Sequence, residues 1–201
     1  MDRRLTVILA ICLMEAAFRS LSGYVPADVL VYTLAVRLIQ MAVILGFSFH
    51  LCGIIPAKLG KELTIGLAAS CIFGALVLLA DLSSRLIVHG GLLPLLVTRQ
   101  RVDSPLLFLL AGCLIGPFVE ELFFRGLLYS WMRERIPALP SIIITSLLFA
   151  SLHGQLSPVQ FIGGLLFASI YEWRKNIWSP FVVHALGNLG IWIVPSIYPL
   201  M

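Results

Sequence analysis

The chain has 201 residues, of which 60% are hydrophobic and only 12% charged, with a formal net charge of +4. A mean hydropathy of +1.01 excludes an ordinary soluble domain and points to a polytopic membrane protein. The basic residues sit at the ends of apolar segments, with no basic patch interleaved with aromatics, so nucleic acid is not an expected partner.

The first apolar segment, Leu5–Phe18, follows a charged start and looks like a secretory signal without an A-x-A cleavage site, so it is read as a retained first helix. Glu15 and Arg19 stand four apart at its end, the spacing of a structural or interfacial ion pair. The second segment, Val29–Leu51, carries Arg37 and Gln40, which either snorkel to the interface or line a substrate groove. The third is Leu63–Ala80. From Asp81 to Asp103 the pattern weakens and is broken by Gly90, Gly91 and Pro94, as in an interfacial helix or a re-entrant piece. Four more segments follow: Leu106–Trp131, Ser141–Leu152, Val159–Tyr171 and Trp178–Val194. Several are shorter than the roughly 20 residues of a full span, and Ser141–Leu152 is expected to lie buried among other helices. The predicted fold is all-α, a polytopic membrane helical bundle of about seven to eight transmembrane or re-entrant helices. With no linker, repeat or low-complexity stretch, residues 1–201 form a single integral-membrane domain. Cys12, Cys52, Cys71 and Cys113 show no CxxC spacing and are expected to be small buried hydrophobes.

Arg3 and Arg4 place the N-terminus on the cytoplasmic side. Seven spans would put Lys58, Lys61, Arg133, Arg135, Arg174 and Lys175 on that side too, and the turn His153–Pro158, free of Lys and Arg, outside. Arg85, Arg99 and Arg101 would then lie outside, against the rule.

The fourth segment contains GCLIGPFVEELFFRGLLY, Gly112 to Tyr129. Three ionisable residues within it, Glu120, Glu121 and Arg125, make a functional site the default reading, because each costs about 2.5–3.5 kcal/mol to insert in a bilayer. Glu121 and Arg125 are four apart and pair on one helix face. Glu120 has Phe124 at the same offset and no cation in reach on its own helix, which leaves it as the acid for chemistry. Gly112, Gly116 and Glu120 line up so that another helix can approach, and Pro117 is expected to bend the helix just before the acids.

Two further polar pairs follow at the same spacing: Phe149 and His153 in FASLH, and His184 and Asn188 in HALGN. At the helical rise, Glu120, His153 and Asn188 sit about 16, 18 and 15 Å from their cytoplasmic ends, so the groups can meet at one depth. Such a set suits amide hydrolysis. Glu120 is the expected base, His153 the partner that positions the water, and His184 and Asn188 the donors to an oxyanion. A zinc site is a competing reading, since two His and one Glu are a common catalytic set. Without HExxH the ligands would have to come from different helices. A non-catalytic immunity or scaffold protein and a proton-coupled transporter are further classes; the first needs no such acid beside two histidines, and no internal repeat supports the second.

The motifs EExxxR (Glu120, Glu121, Arg125), FxxxH (Phe149, His153) and HxxxN (His184, Asn188), in this order, resemble the CPBP family of intramembrane proteases, also called the ABI or CAAX protease-like family, which includes the type II CAAX prenyl endopeptidases. The resemblance covers a protease core of about residues 106–194. It implies a helical glutamic-type intramembrane endopeptidase in which Glu120 and His153 activate water and His184 and Asn188 form the oxyanion site. Glu121, Arg125 and Phe149 would support the site, and no metal or other cofactor would be required. It also implies a membrane-embedded or lipidated protein substrate, with CAAX-type or C-terminal sorting-tail processing as the class, in a bacterial or archaeal cytoplasmic membrane.

Overall fold

The computed structural model of the chain describes residues 2–25, 28–49, 53–56, 58–96, 102–153 and 157–197. Leu51, Cys52, Arg99, Arg101 and residues 154–156 of the expected outside turn lie outside them. Among the described residues there is no strand, and seven long helices make up the fold. They are α1 (Arg3–Leu21), α2 (Val29–Ser48), α3 (Leu59–Val88), α4 (Pro105–Arg133), α5 (Ala138–Leu152), α6 (Pro158–Arg174) and α7 (Trp178–Ile197). The first four are long and apolar enough to cross a membrane.

Local chemistry explains the boundaries. Asp2 caps α1 by accepting from the Arg4 N–H at 3.0 Å, and Asp28 caps α2 through the Leu30 and Val31 N–H groups at 2.8 and 3.3 Å. α6 starts on Pro158, whose missing N–H costs nothing at that position. It ends at Lys175, whose φ of 56° turns the chain. The third expected segment is too short at Ala80, because α3 runs eight residues further, to Val88. Asp81 and Arg85, which weaken the apolar pattern there, pair with each other at 2.7 Å, and Asp81 also accepts the Leu93 N–H at 2.7 Å. The break comes instead at His89, with a φ of 56°, and is followed by a single turn, Leu93–Leu96.

α4 is the centre of the bundle, packed by α1, α2, α5, α6 and α7. Its Val119, Leu122, Phe123, Phe124 and Leu127 join Val7, Ile11, Ile44, Phe149, Phe167 and Val183 in one core. α3 stands at the edge against α7. Gly66 allows that contact, since a Cβ there would lie 2.7 Å from the Ser179 carbonyl oxygen. Of the cysteines described, Cys113 is buried as expected, whereas Cys12 and Cys71 are exposed on outer or cavity-facing surfaces.

The cation-rich segment ends lie together. Asp2 accepts from Trp131 and Arg135, both at 2.8 Å, and Arg4 pairs with Glu134. Glu62 holds Arg174 through bonds of 2.9 and 2.6 Å, and Tyr129 donates to Glu172 at 2.7 Å. Arg3, Arg4, Lys58, Lys61, Arg133, Arg135, Arg174 and Lys175 thus share one end of the bundle, an arrangement in keeping with the positive-inside rule.

Candidate active site

The site is built on α4, whose winding changes twice around the acids. Leu109–Ile115 and Leu122–Tyr129 are π-helical, with Gly116–Glu121 an α-helical turn between them. Such segments are rare and concentrate at functional sites. The cause is local. Gly116 donates its N–H to the carbonyl of Ala111, five residues back. In that register the next donor would be residue 117 onto Gly112, but Pro117 has no N–H. The helix therefore continues through Pro117 by rewinding, and the Gly112 carbonyl is left for Asn188, whose side-chain amide donates to it at 2.7 Å. The expected close approach of another helix does not hold at Gly116, where a Cβ would sit 2.5 Å from the Ala111 oxygen of its own helix with no other helix within 4 Å among the described residues. At Gly112 a Cβ would first meet the Phe108 ring, while α7 reaches the Gly112 carbonyl through Asn188.

The two acids have different partners. Glu121 is fully buried and pairs with Arg125 at 2.9 Å. The same oxygen accepts from His184 Nδ1 at 2.8 Å. The Arg125 guanidinium also donates to the Gly164 carbonyl at 3.3 Å and lies 5.0–5.6 Å from the ring centroids of Phe124, Phe149 and Phe167. A buried cation is thus faced by a carboxylate, a carbonyl and three ring faces.

Glu120 is not the unpaired acid that its own helix suggests. Arg37, from α2, donates to its Oε1 at 3.0 Å. Its Oε2 faces both histidines, 3.6 Å from His153 Nε2 and 3.6 Å from His184 Nε2. The remaining ring nitrogens are occupied. His153 Nδ1 is 2.8 Å from the Phe149 carbonyl, which can only accept, so that nitrogen carries the proton. His184 Nδ1 donates to Glu121. In the neutral rings both Nε2 lone pairs therefore point toward Glu120. Packing fixes the rings, with His184 stacked on Phe167 at 4.6 Å and His153 against Phe149 at 4.4 Å. The structure brings Glu120, His153 and His184 together from α4, α5 and α7, places Phe149, Glu121 and Arg125 behind them, and sets Asn188 further along α7 on Gly112.

A cavity of about 210 Å³ opens beside Glu120 between α1, α2, α4 and α5. Ile11, Val119, Phe123 and Leu152 give it apolar walls, and Glu15, Arg37 and His153 line its polar side. Sequence reasoning left Arg37 and Gln40 between two roles and gave Phe167 none. The signal for Arg37 is a cation in the middle of a 20-residue apolar helix. Phe167 carries no such mark.

The family model for type II CAAX prenyl endopeptidase Rce1-like proteins matches residues 102–190. A Bacillus subtilis protein with the name "Putative membrane peptidase YdiL" is 27% identical over 90 residues, 44% of this chain and 37% of that protein. The "Membrane-embedded CAAX protease MroQ" of Staphylococcus aureus is 29% identical over 90 residues, 41% of this chain and 36% of that protein. The match thus spans little more than a third of either relative's length. No solved structure matches the chain. Four membrane-length apolar helices and membrane-protein relatives make this an integral membrane protein. The matched segment holds the EExxxR, FxxxH and HxxxN residues that α4, α5 and α7 bring together, so over residues 102–190 the chain is similar to the type II CAAX prenyl endopeptidase Rce1-like family.

Proposed function

We propose that this protein is an intramembrane endopeptidase of the glutamic type, hydrolysing a peptide bond of a membrane-embedded or lipidated protein. One observation carries the reading: Glu120 Oε2 faces the Nε2 of two histidines whose Nδ1 protons are already committed. A water beside Oε2 can donate one hydrogen to Glu120 and the other to His153. Glu120 takes the proton as the water oxygen bonds to the scissile carbonyl carbon. His184 and the second N–H of the Asn188 amide face the developing oxyanion; for His184 to donate from Nε2 its ring takes up a proton from solvent before the step and keeps it throughout, with Nδ1–H still on Glu121. The proton on Glu120 then passes to the leaving nitrogen as the C–N bond breaks. Glu121, Arg125 and Phe149 hold the donors in place. The apolar walls of the cavity favour a substrate presented from the bilayer, with CAAX-type or sorting-tail processing as the class.

Zinc is the alternative for the same residues. Two imidazole nitrogens and a carboxylate oxygen have the right chemistry for it. However, among the described residues no three His, Cys, Asp or Glu side chains have the arrangement of a metal site. The other oxygen of Glu120 already holds the Arg37 cation, which a dication would have to face. The arrangement of these donors, with Arg37 on Glu120, therefore does not suit zinc.

The test compares protein termini in native membranes carrying wild-type protein or Glu120→Gln at equal levels. Termini produced only by wild type are the expected result and name the substrate as well. Identical termini in the native host would overturn the reading in favour of a non-catalytic partner-binding protein. Full activity after stripping with chelators is expected, and loss that zinc restores would revive the metal site.

A further inference from the structure

The residues matched to the family begin at 102, yet the direct hydrogen bond to the Glu120 carboxylate comes from α2, well outside that segment. Among the described residues Arg37 is the one group within hydrogen-bond distance of that carboxylate, since both imidazoles stand back at 3.6 Å. A carboxylate on a Glu side chain turns easily about its last torsion. Pinning Oε1 from α2 removes that freedom and leaves Oε2 aimed at the histidines.

The pin is itself held. Arg37 Nη1 donates to Glu15 Oε2 at 3.0 Å and to Gln40 Oε1 at 2.7 Å, while Nη2 serves Glu120. Gln40, almost completely buried, returns its amide N–H to Glu15 at 2.9 Å, and Arg19 donates to the other Glu15 oxygen at 2.9 Å. The guanidinium thus bridges two carboxylates with separate nitrogens, an arrangement that suits its planar fork and that a lysine ammonium cannot reproduce. We propose that Arg37, held by Glu15 and Gln40, is a positioning residue for Glu120, so that α1 and α2 complete the catalytic unit of the family segment. The proposal rests on the protease reading.

The experiment uses full-length protein in proteoliposomes and a peptide spanning the cleavage site identified by the termini comparison. Arg37→Gln is expected to lower kcat about 100-fold, the scale of a misplaced catalytic group, with KM within about twofold. Arg37→Lys restores kcat only in part. A purely structural role would instead reduce the amount of folded enzyme and leave kcat per folded molecule unchanged. If Arg37→Gln does not fold, Gln40→Leu keeps both charges and removes one tether, and kcat is expected to fall about 10-fold at constant KM. Unchanged kcat in the folded variants, or a rise in KM alone, overturns the assignment of Arg37 while wild-type cleavage still stands. Equal products from wild type and Glu120→Gln overturn the protease reading, and the Arg37 assignment with it.

Discussion

Glu121→Gln removes one charge from a pair in which both side chains are at most 1% exposed. Breaking such a pair by deleting one partner costs about 3–5 kcal/mol, because the other charge stays buried without its counterion. The Gly164 carbonyl and three ring faces remain around Arg125, which argues for the lower end, about 3 kcal/mol. Glu120→Gln is different. Its partner Arg37 is 18% exposed, borders a cavity and keeps Glu15 as a counterion. Its cost should be about 1 kcal/mol. At 2–4 °C per kcal/mol for a chain of this size, Glu121→Gln is expected to lower Tm by roughly 10 °C and Glu120→Gln by roughly 3 °C. Thermal unfolding of the purified variants in detergent micelles, followed by far-UV circular dichroism, reads both. A Glu120→Gln shift equal to or larger than that of Glu121→Gln would refute the division of labour between the adjacent acids.

The rewound α4 makes two further predictions. Gly116→Ala would set a methyl carbon 2.5 Å from the Ala111 oxygen, so the turn must shift, and stability should fall by about 2 kcal/mol in the same unfolding assay; an unchanged Tm would refute the steric account. Asn188→Leu leaves the Gly112 carbonyl without its donor and should cost about 1–3 kcal/mol. In a Pro117→Ala background residue 117 regains an N–H, and the Asn188→Leu penalty should shrink by at least about half; additive penalties would show that Pro117 is not the reason for this bond.

Much of this architecture is legible in the chain because its signals are local. Apart from the end of α3, the apolar runs locate the helix ends to within four residues, and Glu121 finds Arg125 because both lie on one helix at i,i+4. Rise per residue sets Glu120, His153 and Asn188 at similar depth, whereas on α7 it is His184, one turn earlier, that faces Glu120, while Asn188 bonds to Gly112. What is not legible depends on helices meeting. Arg37 reaches Glu120 across 83 positions, and no spacing rule points there. The π-helical winding is hidden because Gly116 and Pro117 could equally signal a kink or a close helix contact. The end of α3 is misplaced because Asp81 and Arg85 look like the polar edge of a span, whereas they neutralise each other inside it. Phe167 is one aromatic among many until His184 is seen stacked on it.

The sequence separation of the buried polar contacts also orders their formation during biogenesis. The bonds among Glu15, Arg37 and Gln40 close within 25 positions, so α1 and α2 can neutralise their charges as a hairpin soon after insertion. Glu62 must wait 112 positions for Arg174 and 117 for Ser179. Glu121 waits 63 for His184, and the Gly112 carbonyl waits 76 for Asn188. Three separate polar groups in α3 and α4 therefore find these partners only within residues 174–188. A nascent chain that lacks α7 has its acids in place but not the His184, Ser179 and Asn188 partners that complete their contacts.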